Sequence, residues 1–194
     1  MLGPGPRFAG MVPVYRLLPL ALMLAACDPG DGALGADAGG LDAGPVGQGS
    51  EARGALVINE VAAKPSTGPD WIEIHNRSEQ AIDLCGFFVT DSLDRLDHYH
   101  HLGGAPPPVD CPTQLLDAGA YLVIYADDEV SLGPDHAPFK LGLADEAHIV
   151  STQGEAIDSF VFLHARDDEG LSLARLPNGE GLFWVREPTL GESN

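Results

Sequence analysis

The sequence predicts an all-β fold, a β-sandwich or barrel, on three observations. Glycine (24) and proline (16) are abundant among the 194 residues, which favours short strands and frequent turns. No window repeats its apolar residues at the ~3.6-residue period of an amphipathic helix. Short apolar runs instead recur at close spacing, separated by turn-forming residues. Apolar residues make up 44% of the chain, enough to bury a core. The length suits one ordinary domain plus a tail better than two large domains.

The first element is not part of that fold. Residues 1–26 contain Arg7 and Arg16, no acidic residue, and an apolar run from Leu17 to Ala26 broken only by Pro19. The run is shorter than the ~20 apolar residues of a spanning helix. A positive stretch followed by a short apolar stretch reads as an export signal. The true start is either Met1 or Met11, since Arg16 supplies a charge in either case. The run ends in Leu24-Ala25-Ala26-Cys27, which resembles the lipobox of bacterial lipoproteins. The resemblance implies that residues 1–26 are a signal peptide and that Cys27 becomes the new N-terminus. There it would carry a diacylglycerol thioether, usually with an added N-acyl chain. Several acyl chains on one residue hold firmly where a single chain anchors weakly. The alternative is an ordinary signal peptide cut nearby, with Cys27 a bystander. Asp28 resembles the inner-membrane retention signal of enteric bacteria, and equally begins the linker. The expected location is therefore the bacterial cell envelope, with the outer membrane or cell surface ahead of the inner membrane.

Cys27 and the residues up to Arg53 form the second segment. They are mostly Gly, Ala and Asp, with almost no large apolar side chain. Such a stretch cannot bury enough surface to offset its ordering entropy. A flexible tether with an rms span of roughly 25–30 Å is expected.

From residue 54 to residue 194 the texture becomes that of strands. Leu56-Val57-Ile58 opens the run, and Asp70-Trp71-Ile72-Glu73-Ile74-His75 alternates as a half-buried strand does. After a turn at Asn76-Arg77-Ser78 come Ile82-Asp83-Leu84 and Phe87-Phe88-Val89. Asp91–Gly119 reads as a long insertion holding Pro106-Pro107-Pro108, and long loops are usually functional or mobile. Tyr121-Leu122-Val123-Ile124-Tyr125 reads as a central strand. Phe139-Lys140-Leu141, His148-Ile149-Val150, Ile157–Val161 and Leu171–Arg175 follow, and Leu182-Phe183-Trp184-Val185 is last. Asn178-Gly179 marks a tight turn before that final strand.

A resemblance emerges from these pieces taken in order. They are Ile58-Asn59-Glu60-Val61, Asp70–Asn76, Ile82-Asp83-Leu84-Cys85-Gly86, Ala118-Gly119-Ala120-Tyr121, Phe139-Lys140-Leu141, Ile157-Asp158-Ser159 and the closing Pro188–Asn194. Together they resemble the bacterial form of the lamin-tail domain, an immunoglobulin-like β-sandwich. The likeness covers residues 55–194, departing from the usual closing Pro-Thr-Pro-Gly at Leu190. It implies an accessory module on secreted or surface proteins, often found beside nucleases or spore-coat-type kinase homologues. No such catalytic partner is present in this sequence.

With Cys27 assigned to lipid, Cys85 and Cys111 remain, in a segment bound for an oxidising compartment. A disulfide between them would pin the insertion to the start of its own loop, adding about 3–4 kcal/mol by the chain-entropy argument. The alternative is a pair of free or metal-binding thiols.

Candidate chemistry is sparse. Asp97, His98, His100 and His101 could bind zinc or copper, though their spacing is not that of a helical zinc protease. Otherwise they are a polar loop. Asp91/Asp94/Asp97, Asp127-Asp128-Glu129 and Asp167-Asp168-Glu169 are candidate Ca²⁺ loops or solvated acidic loops. Glu60 and Glu73 would need proximity and perturbed pKa values to act as an acid pair. The structural reading is that they hydrogen-bond backbone or an arginine at a sheet margin. Leu56, Ile58 and Glu60 are expected on one face.

There is no nucleophile elbow and no phosphate-binding glycine loop. The net charge is −19, and two of the ten basic residues leave with the leader. Nucleic-acid binding is excluded on that ground. The expectation is a non-enzymatic, lipid-anchored envelope protein, with no small-molecule substrate and an unknown protein or surface partner. Its sandwich would mediate adhesion or structural assembly. The alternative is a module binding a divalent cation, Ca²⁺ or Zn²⁺, the one cofactor these loops suggest.

Overall fold

A computed structural model describes residues 49–104, 111, 113–165 and 168–194. The leader, Cys27, the linker to residue 48, the three consecutive prolines and Asp167 lie outside the described residues.

Among the described residues twelve strands follow in chain order: β1 (Leu56–Ala62), β2 (Asp70–Asn76), β3 (Ile82–Asp83), β4 (Phe87–Thr90), β5 (His100–His101), β6 (Leu115–Leu116), β7 (Tyr121–Ala126), β8 (His136–Ala137), β9 (Ala144–Ser151), β10 (Ala156–Leu163), β11 (Ser172–Leu176) and β12 (Leu182–Arg186). The helical elements among the described residues are short 3-10 turns, so the protein is all-β as the composition predicts. Six strands form one sheet in the order β12-β11-β1-β2-β7-β8, and four form a second in the order β10-β9-β4-β5. β3 and β6 pair separately. This is an immunoglobulin-like sandwich.

The inward faces of the two sheets make the core. Leu56, Ile58, Val61, Ile72, Ile74 and Ile124 come from the large sheet, with Phe87, Val89, Ala147, Ile149 and Phe162 from the small one. Period-two alternation puts Trp71, Glu73 and His75 of β2 on the other face, away from that core. In β1 the alternation breaks. Ile58 pairs with Ile74 and Glu60 with Glu73, so Asn59 is an extra residue in a β-bulge. The bulge shifts the phase, turning Val61 into the core and Asn59 and Glu60 outward. Glu60 therefore does not share a face with Leu56 and Ile58, contrary to the plain alternation. A bulge spends one residue without advancing the pleat.

Other expectations shift for similarly local reasons. Ala52, ahead of the expected start at residue 54, is fully buried in the core, so packing begins a turn earlier. No strand forms at Phe139–Leu141. Phe139 and Leu141 instead plug the core, and Lys140 makes one isolated bridge to Asp127. The strand lies just upstream, as β8, parallel to β7. The insertion after Asp91 is structured at both ends, since β5 extends the small sheet beside β4 and β6 pairs with β3. The final turn is as predicted: β11 and β12 form a hairpin with Gly179 at φ +67°.

Arg175 and Asp158 join the two sheets. The Arg175 guanidinium donates to both Asp158 carboxylate oxygens at 3.1 and 2.9 Å, and its Nε donates to the Ile58 carbonyl at 2.7 Å. Asp158 also accepts the Ile58 N–H at 2.8 Å. Three strands, β1, β10 and β11, meet at this point.

Candidate functional site

The outer face of the large sheet holds the densest group of buried polar side chains. Asn59, Glu60, Glu73 and Ser172 are all fully buried there. What buries them is the closing segment Glu187–Asn194, which runs back across β1 and β2 as a strap. Glu60 accepts from the Ser172 hydroxyl, from Thr189 Oγ1 at 2.8 Å and from the Thr189 N–H at 3.1 Å. Glu73 accepts from Asn59 Nδ2 at 2.8 Å and from the Gly191 N–H at 2.6 Å. Asn194 donates to the Asn59 and Arg175 carbonyls, and the Asn59 side chain accepts the Gly179 N–H at 2.7 Å. The bulge is what aims Asn59 at both the strap and the β11–β12 turn.

Burial, with a smaller push from the Glu60 carboxylate, raises the Glu73 carboxyl from 4.5 to about 7, against the pull of its two donors. The two carboxylates are thus close and one is perturbed, as an acid pair requires. Their oxygens, however, are engaged by protein donors beneath the strap. The structural reading of Glu60 and Glu73 fits this geometry, with strap amides and hydroxyls as partners and no arginine among them.

The histidine cluster is taken apart by the fold. His98 Nδ1 lies 2.5 Å from Asp91, His100 Nε2 meets the Pro134 carbonyl at 2.8 Å, and His101 Nε2 meets the Cys85 carbonyl at 2.9 Å. Asp97 points to solvent and pairs with Arg95 at 2.7 Å. Alternation along β5 sends His100 and His101 to opposite faces, so the four groups do not converge. Burial lowers the His100 pKa, and it raises that of Asp91 against the pull of His98. Asp127 is engaged by His136 at 2.7 Å and by the Glu129 N–H at 3.0 Å. Asp168 accepts the Ala165 N–H at 3.2 Å. Among the described residues no three His, Cys, Asp or Glu side chains are grouped to hold a metal ion.

Cys85 and Cys111 form a disulfide with Cα atoms 5.9 Å apart. Gly103 packs against it so closely that an added Cβ would lie 2.7 Å from one sulfur and 3.0 Å from the other. Trp71, Tyr125, His136 and Leu190 line an open pocket of about 320 Å³ beside the strap. Neither that pocket nor the role of the strap was visible in the sequence. The signals for the strap were the closing Pro188–Asn194 among the ordered pieces and the polar pair Glu60 and Glu73 standing within otherwise apolar strands.

The family model described as Lamin Tail Domain matches residues 49–164. The match ends after β10, so β11, β12 and the strap lie beyond it. No curated protein shows a significant match to the chain.

Proposed function

We infer the role of this molecule from one premise: the chain belongs to the lamin tail domain family, a non-enzymatic immunoglobulin-like family. Such a domain acts through its surface, in protein interaction or structural assembly. The observation that carries this reading is the engagement of Glu60 and Glu73. The most reactive-looking groups in the fold serve to fasten a strap and present no free oxygen to a substrate.

The finer reading is an envelope lipoprotein. Cys27 carries the lipid, the Gly/Ala/Asp-rich segment after it acts as a tether, and the sandwich is held out to meet a protein or a surface. Support for the anchor comes from the lipobox-like Leu24-Ala25-Ala26-Cys27 and the leader before it. Cys27→Ala should move the protein from the membrane fraction to the soluble one, with loss of incorporated radiolabelled acyl chain. A variant that stays membrane-bound without label would sink the anchor. Crosslinking in intact envelopes should join the sandwich to a protein; a lone uncrosslinked chain would count against an interaction role.

A further inference from the structure

We propose that His75 is an acid-sensitive latch: by taking a proton on Nδ1 it releases the Asn178–Gly179 turn, and with it the Asn194 end of the strap. The device goes beyond the interaction reading and stands without it.

The ring is held where a second proton has no place. His75 is 6% exposed on the outer face of the large sheet, and its Nδ1 is buried without a partner. The Gly119 carbonyl accepts from the ring, so the neutral form that fits is the one with Nδ1 bare. Tyr121 stacks on the imidazole, with centroids 4.5 Å and planes 15° apart. Gly179 packs against Nδ1 itself, where an added Cβ would lie 2.7 Å away. A proton placed on Nδ1 would therefore be a buried donor with no acceptor. The ring relieves this by turning Nδ1 to water, and the closed turn stands in the way.

What Gly179 holds makes that contact consequential. Its N–H donates to Asn59 Oδ1 at 2.7 Å. Asn178 Oδ1 accepts from Asn59 Nδ2 and from the Asn194 N–H, both at 3.1 Å. Asn178 Nδ2 donates to the Tyr121 hydroxyl at 2.8 Å. The ring on which His75 stacks and the turn against which it packs are thus fastened to each other and to the strap. Movement of His75 disturbs both at once.

The charged groups around the ring oppose the proton or are engaged elsewhere. Arg77, two residues on, repels it, and the Arg77 guanidinium is paired with Glu180 of the turn. Glu73, two residues back on the same face, accepts from Asn59 and Gly191. β1 sets Val57 opposite His75, and β7 sets Tyr121 there. Asp117, at the turn that carries Gly119, and Glu192 of the strap are exposed to water. Burial, with a smaller push from Arg77, lowers the His75 pKa against the pull of the Gly119 carbonyl. The closed turn keeps the ring neutral, whereas an opened ring charges as the pH falls below its ordinary 6.5, so acid favours opening. Glu73 works the other way. Covered by the strap, it holds its proton up to about pH 7, so acid keeps Gly191 in place while it frees Asn194. The opening is confined to the turn and the Asn194 end, hinged at Gly191.

The test is amide hydrogen exchange, read by NMR on the full chain in non-ionic detergent as protection factors between about pH 7.5 and about pH 5. The Gly179 and Asn194 amides should lose about tenfold or more of their protection over that range, one unit of pKa difference being worth tenfold. The Gly191 amide and those of the β1–β2 ladder should keep theirs. His75→Gln and His75→Phe take up no proton, and either should abolish the loss; the phenylalanine keeps the stack on Tyr121 if the glutamine disturbs the fold. A loss that persists in a folded His75 variant overturns the proposal, as does wild-type protection at Gly179 and Asn194 that does not vary with pH. A loss shared equally by every amide overturns it too, being global acid unfolding. In Glu73→Gln the loss should remain; its disappearance would assign the effect to Glu73 and remove the latch.

Discussion

Glu73 stands opposite Glu60 across the β1–β2 ladder, and its proton should be readable in stability. Its folded pKa is raised from 4.5 to about 7 by burial, so between those values the folded chain keeps a proton that the unfolded chain releases. Its favourable contribution is therefore full below pH 4.5 and is lost as the pH rises through about 7. The loss is on the order of 3 kcal/mol or less. Glu73→Gln stays neutral throughout. Its stability relative to the wild type should climb between about pH 5 and about pH 8 and then level off; parallel melting profiles would show that Glu73 does not take up this proton. His75 and His100, both lowered by burial, lose stability in the opposite direction as the pH falls. They are common to both proteins and cancel in the difference. The structural character of these two glutamates was legible because each interrupts an apolar strand. Their partners were not, since Thr189 and Gly191 lie more than a hundred residues away and only the bulge at Asn59 turns Glu60 toward them.

Short elements depend on what clamps them. β3 and β6 have two residues each and cannot hold by ladder bonds alone. Asn76 helps, its Nδ2 donating to the Gln80, Leu116 and Asp117 carbonyls. The Cys85–Cys111 disulfide closes the same region over a separation of 26 residues. Replacing both cysteines with alanine should cost about 3–4 kcal/mol in urea unfolding, with the wild type falling to the same midpoint on reduction. An unchanged midpoint would mean that the loop is held without the bond. β10 was legible because burial of one face writes a period of two into the sequence, and β2 keeps that period although the strap buries its outer face as well, so it is not the half-buried strand its alternation suggested. β8 was misplaced to Phe139–Leu141 because a buried apolar pair inside a loop resembles a short strand, and strand pairing depends on the neighbour as well as on the run itself. β5 was hidden for the converse reason, two histidines giving no apolar signal.

At the scale of the molecule, the sandwich closes on the Arg175–Asp158 pair, largely shielded with side chains 17% and 19% exposed. Asp158→Ala would strand the Arg175 guanidinium and leave the Ile58 N–H without its acceptor. A loss of roughly 3 kcal/mol is expected in chemical denaturation, and a loss below about 1 kcal/mol would mean that solvent replaces the carboxylate. The sandwich class could be foreseen from strand spacing and the ordered pieces. The strand order could not, because β1 lies beside β11, more than a hundred residues on, and nothing local records that pairing. The strap also joins what the sequence holds far apart. Thr189 and Gly191 reach Glu60 and Glu73, and Asn194 reaches the Asn59 carbonyl, so residues 187–194 fasten onto the first two long strands of the described fold. Fraying of that segment would return two buried carboxylates to water at once, which makes the strap the guard of the sheet's outer face.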